Sequence, residues 1–413
     1  MSSSRTWPLR QLKDCAVWYS GGTPSKSRAE YWGGSIPWIS ARSITNFFIT
    51  DSEDRVSEAG ARNGTRMVPA DSILFIVRGM SLKSEFRMGI TTQPVTFNQD
   101  LKALVAVDGV LPSFLAYAIK ARSAEILGMV GEAGHGTGVL PTDRIQSLAV
   151  GIPSLAEQRV VADILRSLDD KIELNRQMNE TLEAMARALF KSWFSDCIEA
   201  RLVSEKSVAD LAEAKILQVG DGYRAKNDEM AATGLPFARA GNIDNGFDFS
   251  GADLLGSPGV AKAGDKVSRA HDVVFTSKGT VGRFGFVDPL MPRFVYSPQL
   301  CFWRSTNEDE LNPFVLFEWM QSRWFLDQVD RVKGQTDMAE YVSLRDQRAM
   351  RLSVPQPRRQ QAIANQVRPL RQKIWANEQE TKTLASLRDE LLPRLLSGEL
   401  SVPRTLDGAG DRS

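Results

Sequence analysis

The stretch IPSLAEQRVVADIL, residues 152–165, returns about 200 residues later as VPQPRRQQAIANQV, residues 354–367. Both place a branched apolar residue and Pro ahead of a Gln-containing helix opening. From 157 to 194 the chain has no Gly or Pro. Apolar residues recur there at Val161, Leu165, Leu168 and Ile172, then at Leu182, Met185, Leu189 and Trp193. Adding 202 to each number gives Ile363, Val367, Leu370, Ile374, Leu384, Leu387, Leu391 and Leu395, all apolar. Alternating steps of three and four predict a heptad-like helical seam. Asn175 and Asn377 lie on its line. Each either pairs with a polar group and sets register, or faces solvent where the seam drifts. Thirty-eight residues would form a helix roughly 57 Å long. One narrow apolar stripe cannot hold such a helix alone, and the second copy supplies its partner. A pseudo-two-fold arrangement makes the pair antiparallel. It would let Asp169-Asp170 and Glu180/Glu183 face Arg371, Lys373 and Lys382. Pro393 is expected to end or kink the second helix early.

Working outward, the repeat covers most of the chain. IPWISARSITN (36–46) echoes LPFARAGNIDN (235–245), and ADSILFIVRG (70–79) echoes HDVVFTSKG (271–279). Gln99 matches Gln299, and Phe114 matches Phe314. Short apolar runs punctuated by Gly and Pro (SILFIV, ALVAV, DVVF, FGFV) predict strands. Helical segments follow at 113–127 and 314–329. The fold class is therefore two tandem α/β (α+β) domains, each followed by a long helix, with the helices pairing as an antiparallel coiled coil. The expected boundaries are 1–151, 152–196 (helix), 197–353, 354–400 (helix) and a disordered tail, 401–413.

The chain has 413 residues, 42% hydrophobic and 24% charged, as globular proteins do. Three distant cysteines, Cys15, Cys197 and Cys301, argue for a reducing compartment and against a disulfide framework. Without a signal-like start or an 18-residue apolar run, the expected location is cytoplasmic. Net charge is +1. By segment it is +3 over 1–156, −1 over 157–194, −4 over 195–357 and +4 over 358–404. A polyanion would thus be met by local patches or with a partner's help.

Catalytic signatures are missing. GHGTGVLP (134–141) lacks the GK[ST] ending of a P-loop and reads as a mobile surface loop. LNPFV (311–315) reads as an Asn cap followed by an N1 proline. The two histidines, His135 and His271, lie in no metal-ligand spacing. Trp32, Trp38 and Trp303 are expected in the core. No catalytic residue, metal or cofactor is expected, and the pattern is that of a binding protein.

The motifs GGTPS…YWGGSIPWIS (21–40), IPSLAEQRVVADILRSLDDKIELN (152–175), ALFKSWF (188–194) and LLPRLLSGEL (391–400), in this order, resemble the specificity subunits of Type I restriction-modification systems. The resemblance covers nearly the whole chain. It implies two target-recognition domains, each reading one half of a split double-stranded DNA sequence. It also implies an antiparallel spacer that docks methyltransferase subunits, two per chain, with restriction subunits joining through the complex. The subunit itself would be non-catalytic. Helix length would act as a ruler between half-sites. Candidate DNA contacts are Arg42, Arg78, Lys83 and Arg87 in the first domain. In the second they are Arg239, Asn242, Lys278, Arg283 and Gln335. Each would read bases or hold phosphates. The helix-pair or partner interface is assigned to Glu157, Gln158, Leu165, Leu168, Ile172, Asn175, Leu182, Val367, Leu370, Ile374, Asn377 and Leu384. Arg359 stands where the first copy has Glu157, so the first junction is the expected docking point. The alternatives are a self-contained DNA-modifying or cleaving enzyme, and a coiled-coil scaffold.

Overall fold

The computed structural model describes residues 7–133, 136–243, 246–334 and 340–400. The expected tail, 401–413, lies outside the described residues. The chain forms two compact units: residues up to 172 together with those from 383, and residues 173–382.

In the first unit, strands β1 (Ala16–Ser20), β2 (Ile73–Ile76), β3 (Met88–Thr91) and β4 (Leu101–Ala106) form a sheet in the order β1-β4-β2-β3, with Phe48–Ile49 at its edge. All four residues of β2 are buried, which explains its unbroken apolar run. A second sheet pairs Trp32–Ile39 parallel with Val95–Phe97, placing Trp38 opposite Thr96. Leu9–Gln11 pairs antiparallel with Ala149–Gly151, zipping the domain's ends together. Helix α1 (Pro112–Lys120) opens with proline in its first turn and buries Phe114 and Tyr117. The long helix α2 (Leu155–Glu199) follows.

The second unit repeats this plan. Strands β5 (Leu217–Asp221), β6 (Val273–Thr276), β7 (Phe284–Phe286) and β8 (Leu300–Ser305) lie in the same order, β5-β8-β6-β7. Leu235–Ala238 pairs parallel with Val295–Tyr296, and Phe237 stands opposite Val295. Val203–Ser207 zips against Arg351–Pro355. Helix α3 (Pro313–Met320) starts at Asn312, whose side chain accepts from the Phe314 amide at 3.1 Å, the expected cap. Helix α4 (Pro357–Leu396) closes the repeat and runs on past Pro393, so the expected early stop is corrected.

The GGTPS motif owes its glycines to a close approach of backbones. A Cβ at Gly21 would stand 2.3 Å from the Phe97 and Asn98 carbonyl oxygens. At the matching Gly222 it would stand 1.9 Å from the Ser297 carbonyl oxygen. Any side chain there would force the two strands apart.

In the second unit α2 and α4 are antiparallel. Asn175 donates to Glu380 at 2.9 Å, Asn377 donates to the Asn179 side chain at 2.8 Å, and Asn179 donates to the Ile374 carbonyl at 3.3 Å. Numbers rise along one helix as they fall along the other. Asn175 and Asn377 are fully buried, which decides between the two readings of these residues in favour of pairing.

The seam itself needs correction. Val161 and Leu165 pack into the first domain's core with Leu392 and Leu395. Ile363 and Val367 do the same in the second domain. Met185, Leu189 and Leu387 are exposed. Ala186, Phe190 and Phe194, spaced by four, are buried instead against the second domain. Of the acids expected to pair across the helices, Asp169 does so, with Arg388 of α4 rather than Arg371, Lys373 or Lys382; the pairs of the others among the described residues stay within α2. Asp170 pairs with Arg166, Glu180 with Arg176, and Glu183 with Arg187, each within α2. Trp38 and Trp303 are core residues as expected, and Trp32 packs edge-on to Trp38 at 5.2 Å.

Candidate nucleic-acid interface

In each domain, segments that follow different strands are brought into contact. In the first domain, residues 44–47 and 85–88 border one common cleft. Strand Thr137–Val139 pairs with Gly131–Ala133 and with Arg78–Gly79. The described part of GHGTGVLP is therefore a hairpin strand and not a mobile loop; His135 lies outside the described residues. In the second domain Lys278 bridges to Tyr341, and the Val342 amide donates to the Ser277 carbonyl at 2.9 Å. Arg283 reaches the Ile243 carbonyl at 3.3 Å, tying the second loop to the first.

The repeat pairs the candidates by position. Arg78 and Lys278 both follow the central strand of their sheet, and both are exposed. Arg42 is exposed in the turn after Trp32–Ile39. Lys83 lies 3.7 Å from Glu132, and Arg87 donates to Glu85 at 2.7 Å. Arg239 pairs with Asp253 at 2.5 Å and lies 5.5 Å from the Phe237 ring centroid. Such exposed pairs are worth only about 0–1 kcal/mol, so a phosphate or a base edge can replace the carboxylate. Asn242 is different. Its side-chain oxygen accepts from the Arg239 amide and its nitrogen donates to the Asp248 carbonyl, both at 2.8 Å. In this structure both ends of its amide are engaged in shaping the loop. Gln335 lies outside the described residues.

The junction residues also moved. Glu157 forms a capping arrangement with Ser154, whose hydroxyl donates to its carboxylate at 2.8 Å. Gln158 is fully buried inside its own domain. It accepts from the Leu111 amide at 2.7 Å and donates to the Gly109 and Pro153 carbonyls at 3.0 and 2.9 Å. Gln360 makes the same three bonds, to the Asn312 amide and the Glu310 and Pro355 carbonyls, at 2.8–2.9 Å. Gln158 is therefore a domain-to-helix clamp and not a docking surface. Of the remaining interface candidates, Leu165, Asn175, Val367, Ile374 and Asn377 are buried. Leu168, Ile172, Leu182, Leu370 and Leu384 are half-buried along the same helices.

The profile of the Type I restriction modification DNA specificity domain matches residues 4–184. The chain is also 26% identical to the MjaIX specificity subunit of Methanocaldococcus jannaschii, over 96% of this chain and 94% of that one. Residues 4–184 thus carry a Type I restriction modification DNA specificity domain. The EcoR124I/EcoR124II specificity subunit of Escherichia coli is 32% identical over 39% of this chain and 40% of its own. The specificity subunit of M. genitalium shares the fold, with a TM-score of 0.59, at 16% identity, over 96% of this chain and 97% of that one. Sequence reasoning missed Tyr117 and Glu318, and gave Asp169 and Arg371 other partners than the ones with which they seat the domains on the helices. Their signal was present as two polar positions recurring inside apolar helices.

Proposed function

We propose that the chain is a non-catalytic DNA-recognition subunit. It reads a two-part double-stranded target, one half per domain, and brings methyltransferase and restriction subunits to it. Two methyltransferase subunits per chain fit the duplicated plan, and the length of the two long helices sets the gap between half-sites. The observation that carries this reading is the duplicated loop cluster, with Arg78 and Lys278 at equivalent exposed positions. Net charge of +1 leaves this chain with weak affinity for DNA on its own, and the methyltransferase subunits supply the remaining grip. The cytoplasm is the expected compartment, and among the described residues no helix is long and apolar enough to cross a membrane.

Exchanging residues 1–150 for the first domain of another specificity subunit, then sequencing the methylated host genome, tests the reading. One half of the modified sequence should change while the other persists. Unchanged methylation, or loss of both halves, would overturn it. On the same assay, Arg78→Ala is expected to relax one half-site by about 1–3 kcal/mol, and Lys278→Ala the other. A uniform weakening with a shallower salt dependence would instead make them phosphate contacts.

A further inference from the structure

The clamp at Gln158 and Gln360 is chemically the same in both copies, so it cannot tell one domain from the other. A second contact between domain and helix can. In the first copy Tyr117 of α1 donates to Asp169 of α2 at 2.9 Å. Lys120 lies 3.8 Å from the same carboxylate, and Arg388 of α4 donates to it at 2.6 Å. In the second copy the matching positions, 201 and 202 residues on, are Glu318 and Arg371. Arg371 donates to Glu318 through Nε at 2.8 Å and Nη2 at 2.6 Å. Tyr117, Asp169, Glu318 and Arg371 are each no more than 6% exposed. The polarity is reversed. The first helix offers an acid to a phenol and an ammonium on its domain, while the second offers a guanidinium to an acid.

Burial makes the reversal consequential, because a buried charge without its partner is strongly destabilising. Burial raises the Glu318 carboxyl above its ordinary range, with Arg371 opposing that rise. Were the second domain seated on α2, Glu318 would meet Asp169 with Arg388 alone to serve both carboxylates, and with Gln321 in the place of Lys120. Were the first domain seated on α4, Tyr117 and Lys120 would meet Arg371. Both exchanges set like against like, or leave a charge unmatched.

We propose that these two contacts are a positional key, admitting each recognition domain only to its own helical seat and so fixing which domain occupies which half of the chain. That the key thereby fixes the order of the two half-sites rests on the function proposed above; its effect on folding does not.

The test is thermal melting of full-length chains, which needs no DNA. One chain keeps the native order, and the other transposes residues 9–151 and 203–355. Asp169→Arg with Arg371→Asp is introduced into each. In the native order the double change should lower the melting temperature by about 10 °C. In the transposed chain it should raise it by a similar amount. A change of the same sign in both orders overturns the key. If the transposed chains do not melt cooperatively, a cycle in the native order decides. Glu318→Arg and Arg371→Glu should each destabilise, and their combination should regain most of the loss. Strict additivity of the two would overturn the key. A melting result as expected alongside failed half-site exchange would leave the key standing and sink the DNA reading alone.

Discussion

Replacing Gln158 by leucine is expected to cost about 3–5 kcal/mol of stability. Leucine fills a similar volume but offers neither donor nor acceptor. The Leu111 amide and the Gly109 and Pro153 carbonyls would all lose their bond to this side chain. Each such group left unmatched in a buried site costs about 1–3 kcal/mol. Gln360→Leu should behave the same way, because Asn312, Glu310 and Pro355 offer the same one amide and two carbonyls. Denaturant titration of the two variants measures this. A loss below about 1 kcal/mol in either would show that the loop finds other partners and that the clamp is dispensable.

The second large effect is on pH dependence. Glu378 on α4 borders a cavity of about 290 Å³ walled by Phe247, Phe286, Phe317 and Trp375. Burial pushes its carboxyl from 4.5 up to about 7, with Lys382 opposing the rise. Between these values the folded chain holds a proton that the unfolded chain has released. Stability from this group is therefore present below about pH 4.5 and is lost as pH rises to about 7. Glu378→Gln cannot ionise. It should match the parent at pH 4.5 and exceed it at pH 8 by on the order of 2 kcal/mol. Melting temperature followed across that range reads the difference, and parallel profiles would refute the assignment.

Much of this was legible before any coordinates. The recurrence of Pro153 and Gln158 as Pro355 and Gln360 announced two equivalent junctions. The apolar runs SILFIV and DVVF announced strands, and both strands prove buried along their whole length. Both readings rest on local chemistry, where a residue's type constrains its surroundings. The partners of Gln158 were not legible, because an amide at a helix opening reads equally well as exposed or inward.

The helix face was only half legible. Along α2 two apolar stripes run one residue apart. One passes through Met185 and Leu189, the other through Ala186, Phe190 and Phe194. A heptad drifts by about 20° per repeat on a straight helix, so periodicity alone cannot choose between them. The second domain chooses. Its core accepts the aromatic stripe, and Phe194 packs edge-on to Trp324 at 4.7 Å.

The amino-acid sequence by itself determined the duplication and the plan of two domains each followed by a long helix, because these follow from order and spacing along the chain. The tertiary structure decided which side chains spend their polar groups inside the protein. Asn242 in its loop, Gln158 in its clamp, and Asp169 opposite Arg388 have partners that cannot be named from their positions along the chain. Each is committed by a partner that only folding brings within hydrogen-bonding distance.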